Sequence, residues 1–81
     1  MWIRGKNKES LLPIGKLMIF ERYNDDVEIE GYYITCLNTN VGDYKTKERC
    51  FEILDDIQRF INNYNSKYHD KIRSVFEMPQ E

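Results

Sequence analysis

The chain has 81 residues, which is enough for one domain, residues 1–81, with a core that is small relative to its surface. It carries 12 lysines and arginines against 14 aspartates and glutamates, so its formal charge of −2 gives no whole-molecule attraction to nucleic acid or to an anionic membrane. The first ten residues lack the apolar stretch of a signal peptide and no run has the length of a membrane span, so we expect a soluble protein of the cytoplasm.

The first part of the chain is typical of paired β-strands. MWIR forms a short strand, and the turn formers in GKNKES connect it to a second strand, in which Pro13 belongs at an edge because it cannot donate to a ladder. The next strand covers residues 16–22. A polar turn at residues 24–26 then leads into a strand over residues 27–37, where apolar and acidic residues alternate at first.

A second hairpin leads into a single helix. Gly31 interrupts the alternation and could form a bulge, and a turn at residues 38–40 precedes a short strand over residues 41–45. Thr46 is the expected N-cap, because its hydroxyl can accept a hydrogen bond from an unpaired backbone N–H of the first turn. An apolar stripe at spacings of three and four predicts the buried face of the helix: Cys50, Ile53, Leu54, Ile57, Phe60, Ile61 and Tyr64.

The last part of the chain leaves the end of the helix open. The segment NNYN contains weak helix formers, yet Tyr68, Ile72 and Val75 would extend the apolar stripe beyond Asn65. SVFEMP is more typical of a final strand that stops at Pro79. Together the elements predict an α+β fold, with a small antiparallel sheet of four to five strands and one long C-terminal amphipathic helix packed across it.

The residue types that catalysis needs are sparse. His69 is the one histidine, and its neighbour Asp70 would point away from it, which favours a solvated pair. Cys36 and Cys50 lack the CxxC spacing of zinc and redox sites and are expected to be buried in a reducing compartment. Paired carboxylates fall on a turn and on a solvated helix face: Asp25 with Asp26, and Asp55 with Asp56. We expect no enzyme, metal or cofactor.

One candidate binding site surrounds the start of the helix. Lys45, Lys47 and Arg49 crowd there, where backbone N–H groups and the helix dipole favour an anion and where cations oppose the usual preference. Tyr44 and Thr46 complete this helix-start group. The alternative interpretation is that the three cations only solubilise the first turn.

A second basic group lies in the first hairpin. Arg4, Lys6 and Lys8 flank Trp2, whose ring could stack on a nucleic acid base, although a tryptophan is more often a core residue. Six tyrosines also favour recognition, because their amphipathic rings suit interfaces and polar pockets. Acidic residues gather between positions 21 and 30, so the chain predicts an acidic hairpin and a basic edge.

The start MWIRGKNKESL, the block VGDYKTKERCFEILDDIQ and the end VFEMP together resemble a group of small uncharacterised proteins from phages, prophages and mobile elements of Firmicutes. The group has a similar MWIR start, a GxYxTxExxxxxLDxIQ helix block and an aromatic-acid-Met-Pro end, and it has alanine where this chain has Cys50. The resemblance brings no catalytic residue. It implies a counter-defence factor, either an inhibitor that docks on a host immune protein or a sponge that sequesters a nucleotide signal.

The leading hypothesis is therefore a non-enzymatic phage or mobile-element binding protein that antagonises host defence through the helix-start group and its tyrosines. Its partner would be an anionic nucleotide or a host defence protein in the bacterial cytoplasm. The alternative is a nucleic-acid-binding accessory module that uses the first-hairpin residues Trp2, Arg4, Lys6 and Lys8. An enzyme built around His69 is the third hypothesis. We also expect a homo-oligomer, because small domains without staples often gain stability by association.

Overall fold

The structure combines six strands and one helix. The computed structural model describes residues 1–64 and 75–81. In chain order the elements are β1 (Trp2–Arg4), β2 (Leu11–Pro13), β3 (Leu17–Tyr23), β4 (Ile29–Cys36), β5 (Thr39–Tyr44), α1 (Lys47–Tyr64) and β6 (Val75–Glu77). The described strands form two three-stranded sheets, with strand orders β2-β1-β6 and β3-β4-β5.

The β3-β4-β5 sheet is antiparallel, and a bulge marks its first hairpin. Arg22 pairs with Gly31 and Tyr23 pairs with Ile29, so Glu30 is the extra residue beside the predicted position Gly31. The preceding turn is held by the side chain of Asn24, whose Oδ1 accepts hydrogen bonds of 2.9 Å from the backbone N–H groups of residues 26 and 28. The predicted polar turn therefore forms here.

The turn between β4 and β5 lies one residue earlier than predicted. It consists of Leu37 and Asn38, with φ angles of 53° and 67°, while Thr39 and Asn40 already belong to β5. Two consecutive positive φ angles are the requirement of a two-residue hairpin turn of type I′. The sequence did not indicate a turn at Leu37, because leucine rarely adopts a left-handed conformation.

The predicted single antiparallel sheet of four to five strands is wrong, although the α+β class is correct. β1 pairs antiparallel with β2 but parallel with β6, so the two ends of the described chain build a separate sheet. Each of these strands has three residues, too few for a periodic pattern that would indicate partners. The final strand predicted in SVFEMP does follow the helix, as β6, so the helix is not the C-terminal element.

The helix covers the β3-β4-β5 sheet with its predicted stripe. The hydroxyl of Thr46 accepts a hydrogen bond of 3.1 Å from the N–H of Arg49, which confirms the N-cap. Cys50, Ile53 and Ile57 are fully buried. The side chain of Tyr64 and residues 68 and 72 of the possible extension lie outside the described residues, and Val75 belongs to β6.

One core unites the two sheets and the helix. Ile3 of β1 and Met78 after β6 are buried in the same cluster as Ile34 of β4 and Ile53 of α1. Among the described residues no helix is both long enough and apolar enough to cross a membrane. The core therefore links the ends of the chain to the central hairpins, and this brings residues from distant positions together beside α1.

Candidate functional site

A cavity of about 490 Å³ lies where β5 ends, α1 begins and the last residues of the chain pass by. We call it the α1 cavity. Four cationic side chains line it: Lys6, Arg22, Lys45 and Arg49. Three acidic residues also line it: Glu30, Asp43 and Glu81. This volume lies within the usual range of small-molecule pockets.

Two of the four cations are engaged with the protein itself. The Lys6 Nζ donates a hydrogen bond of 2.6 Å to the carbonyl oxygen of Asp43 and lies 4.7 Å from the ring centroid of Tyr44. The Arg49 Nε donates to the carbonyl oxygen of Glu81 at 2.8 Å, and its Nη1 forms an ion pair with Glu52 at 3.1 Å. These contacts fix the shape of the cavity wall.

The side chains of the other two cations, Arg22 and Lys45, make no hydrogen bond or ion pair with any described part of the chain. Both nevertheless line the α1 cavity. The carboxylate of Glu30 lines it as well and forms no ion pair with either of them. Charged donors without protein partners are the groups that an anionic ligand would engage at low cost, because no internal contact has to break.

Tyr44 serves as a wall of the cavity. Its side chain is buried, and its hydroxyl donates a hydrogen bond of 2.7 Å to the carbonyl oxygen of Pro79. Burial raises the pKa of Tyr44 to about 12. The phenol therefore stays protonated and tied to the end of the chain, so the ring shapes the site while its hydroxyl is occupied.

The structure separates Lys47 from the rest of the helix-start group. Thr46 and Arg49 line the α1 cavity together with Tyr44 and Lys45, but Lys47 does not. Its Nζ lies 5.9 Å from the ring centroid of Phe51, one turn along the helix. Lys47 borders a neighbouring pocket together with Lys45, so of the three predicted cations only Lys45 and Arg49 line the α1 cavity itself.

The first-hairpin group is divided as well. Trp2 and Arg4 share one face of β1, where Trp2 is 42% exposed and Arg4 donates a hydrogen bond of 3.1 Å to the carbonyl oxygen of Lys8. Lys6 instead turns to the α1 cavity, and its backbone N–H donates to the carbonyl oxygen of Val41 at 2.7 Å. Trp2 and Arg4 are thus not part of the cavity.

Sequence reasoning missed Arg22 as a site residue. Arg22 lies opposite Gly31 in the β3-β4 pair. Its Nη2 lies 3.4 Å from the place that a Cβ at Gly31 would occupy, so the absent side chain leaves room for the guanidinium. A glycine opposite a long cation in a predicted hairpin is the sequence signal that could have indicated this arrangement.

The described chain offers few side chains for metal binding or nucleophilic catalysis. Residues 1–64 and 75–81 contain no cluster of three or more histidine, cysteine or acidic side chains suited to a metal ion. Cys36 and Cys50 are fully buried, as predicted, and burial raises the pKa of the Cys50 thiol. Asp56 pairs with Arg59 on the helix surface. The His69 and Asp70 pair lies outside the described residues.

Comparisons of the chain with protein-family models, with curated proteins and with solved structures find no match. The geometry of the α1 cavity is therefore the basis for a functional proposal.

Proposed function

We propose that this protein is a non-enzymatic accessory binding protein that holds the anionic group of a nucleotide in the α1 cavity. The observation that supports this proposal is the position of Arg22 and Lys45, two cations without described partners that line one cavity of about 490 Å³. Their ammonium and guanidinium groups can form charge-assisted hydrogen bonds with a phosphate. The start of α1, with its partial positive charge, adds to the attraction.

A nucleotide fits this cavity better than a bare inorganic anion. The wall carries acceptors as well as cations, because Glu30 and Asp43 line it together with Arg22 and Lys45. A phosphate alone would meet both attraction and repulsion there. A nucleotide could place its phosphate against the cations and its sugar hydroxyls or base amino groups against the carboxylates.

The biological role that we propose is the sequestration of a nucleotide signal of host defence in the bacterial cytoplasm. The support for this role is the resemblance of the chain to phage and mobile-element proteins, together with the cavity. The alternative within the same role is an inhibitor that docks on a host immune protein. Native mass spectrometry of protein purified from a defence-active host separates the two, because a sponge releases a nucleotide and an inhibitor retains a protein.

Isothermal titration with mono-, di- and cyclic nucleotides tests the cavity directly. We expect Lys45→Ala and Arg22→Ala each to weaken binding about tenfold or more, because each removes a charge-assisted hydrogen bond. Lys47→Ala is the matched control, since it removes the same charge two residues from Lys45 but outside the cavity. It should leave the affinity unchanged.

Two outcomes would count against this site. A wild-type protein that binds none of the nucleotides contradicts the proposed ligand class. Equal losses for Lys45→Ala and Lys47→Ala would show that binding follows the general charge of the helix start and does not use the cavity.

A nucleic-acid-binding module is the second candidate, and the exposure of Trp2 beside Arg4 on one face of β1 favours it. An exposed ring next to a cation can stack on unpaired bases. Against this candidate, Glu77 lies opposite Arg4 in the parallel pair with β6, and its carboxylate would repel nucleic acid.

Fluorescence tests this second candidate. Because the chain has one tryptophan, binding of single-stranded DNA should quench the fluorescence of Trp2, with an affinity that falls steeply as salt rises. Unchanged fluorescence would exclude this candidate.

A further inference from the structure

The two edges of the β3-β4-β5 sheet differ in how they are covered. At β5, the N–H of Lys6 donates to the carbonyl oxygen of Val41 at 2.7 Å and its Nζ donates to that of Asp43 at 2.6 Å. At β3, the backbone hydrogen bonds of the described chain run only to the β4 side. In the described part of the chain, the outer edge of β3 is therefore open over all seven residues of the strand, and an open edge is a template for another strand.

The direction of the backbone groups of β3 follows from two hydrogen bonds at its ends. The carbonyl oxygen of Lys16 accepts from Leu37, and the N–H of Asn24 donates to Glu28, so the even-numbered residues face β4. Successive residues of a strand alternate. The outward N–H and C=O groups therefore belong to the odd-numbered residues: Leu17, Ile19, Glu21 and Tyr23.

We propose that a second copy of this chain pairs with the β3 edge, antiparallel and about a two-fold axis at Phe20. The two three-stranded sheets then form one sheet of six strands. This axis places Ile19 opposite Glu21 and Leu17 opposite Tyr23 of the second copy. Each residue of β3 whose backbone groups point away from β4 then lies opposite another such residue in the second copy. All of these N–H groups therefore have a carbonyl partner.

The side chains of β3 fit this arrangement. Phe20 is 39% exposed and stacks on Tyr33 at 5.5 Å between ring centroids. Across the two-fold axis it faces Phe20 of the second copy, which extends the stack to four rings on one face of the joined sheet. Such cross-strand aromatic pairs stabilise antiparallel sheets. Met18 would lie against the aliphatic part of Arg22.

The charges select this register over its neighbours. An axis at Ile19 would place Lys16 opposite Arg22, and an axis at Glu21 would place that carboxylate opposite its own copy. Both of these registers place like charges directly opposite each other, which destabilises a strand pair. An axis at Phe20 instead places Lys16 opposite Asn24 and close to the acidic turn at residues 25–26 of the second copy.

The assembly closes at two copies, because among residues 1–64 and 75–81 each β3-β4-β5 sheet leaves one edge open, and Lys6 occupies β5. A pair of seven-residue strands gives an interface at the small end of the usual range, so we expect reversible dimers at micromolar concentration. The proposal does not depend on the function of the α1 cavity, and its tests need no ligand.

Sedimentation velocity of the wild-type protein and two β3 variants tests the interface. Phe20→Lys brings two ammonium groups together at the axis, and Glu21→Pro removes an outward N–H without touching a bond to β4, so both should be monomeric. Phe51→Lys is the matched control, because Phe51 is 50% exposed on the helix, and it should remain a dimer. Circular dichroism reports whether each variant is folded.

Cysteine cross-linking tests the register. Phe20→Cys should form a covalent dimer with oxidised glutathione, because the two Cα atoms at the axis lie within disulfide range. Met18→Cys should not, since its two copies would lie about 13 Å apart or more in this register. The native Cys36 and Cys50 are both fully buried and do not compete.

Three results would overturn the proposal. The first is a wild-type protein that remains monomeric at hundreds of micromolar. The second is a dimer that survives in folded Phe20→Lys and Glu21→Pro variants. The third is cross-linking of Met18→Cys in place of Phe20→Cys, which would show a different register.

Discussion

Tyr44 joins three parts of the molecule through one side chain. It ends β5, its ring lies beside the ammonium group of Lys6, and its hydroxyl donates to the carbonyl oxygen of Pro79 near the end of the chain. The sequence suggested Tyr44 as a binding residue because it precedes the basic helix start. Its burial instead makes it a support for the cavity wall, and burial could not be inferred from one aromatic residue at a strand end.

The raised pKa of Tyr44 predicts a pH-dependent stability. The phenol titrates at 10.0 in the unfolded chain and at about 12 in the folded protein. The folded state therefore favours the protonated form. This contribution is complete below pH 10.0 and is lost as the pH rises through about 12. The contribution to the free energy of unfolding is roughly 2 kcal/mol.

Urea unfolding of the wild type and of Tyr44→Phe from neutral pH to about 12 measures this effect. At neutral pH the variant should be less stable by about 1 kcal/mol, because it loses the hydrogen bond to Pro79. The advantage of the wild type should then shrink as the pH rises and reverse by about pH 12, because the loss from titration exceeds the contribution of the hydrogen bond. A constant difference between the two proteins would contradict the assignment of the titration to Tyr44.

Among the elements, α1 was predicted best because its signals are local. A threonine cap and an apolar stripe at spacings of three and four define a helix without reference to the rest of the chain. The long hairpin strands were also located, since alternation and a polar turn mark them. The pairing of β1, β2 and β6 was not predicted, because strands of three residues carry no periodic pattern. In addition, β6 pairs in parallel with a strand at the other end of the chain.

The β3-β4 turn contains a strained residue that the sequence did not reveal. Val27, directly after the predicted turn at residues 24–26, adopts a left-handed conformation with a φ of 60°. A β-branched residue is unfavourable in this region. Because Val27 is 77% exposed, its side chain contributes little packing to offset the strain.

Val27→Gly should therefore raise the free energy of unfolding, by about 0.5 to 1 kcal/mol after the greater freedom of glycine in the unfolded chain is deducted. Val27→Ala is the control, because it removes most of the side chain but keeps the Cβ and the strain. Thermal or urea unfolding measures both variants. A gain that is equal for alanine and glycine would mean that the exposed valine, and not the backbone, causes the effect.

At the scale of the whole molecule, the fold determines which cations share a site. Lys6, Arg22 and Lys45 are far apart in sequence and meet only because the first hairpin closes the β5 edge and a bulge shapes the β3-β4 hairpin. Lys45 and Lys47 are close in sequence, but only Lys45 lines the α1 cavity. Four of the five residues in the helix-start group therefore line the α1 cavity, whereas their proximity in sequence gave no indication of Arg22.

The shared core predicts that the two sheets unfold together. Ile3 lies in β1 and Met78 directly follows β6, and both pack with Ile34 and Ile53, so neither sheet has a separate apolar core in the described chain. Trp2 lies in that small sheet and reports its unfolding by fluorescence, while far-UV circular dichroism reports α1. The two urea transitions should coincide, as they do for a single cooperative domain.

Substitution of Met78 makes this test sharper. Met78→Ala removes a side chain that is 3% exposed and should lower the free energy of unfolding by about 2 to 4 kcal/mol, as buried methionine truncations do. Both transitions should move to lower urea by the same amount, because the lost contacts belong to one core. Glu77→Ala, at an exposed neighbouring position, should leave them nearly unchanged. If only the Trp2 transition moved, the small sheet would be a separate unit that unfolds before the helix and the β3-β4-β5 sheet.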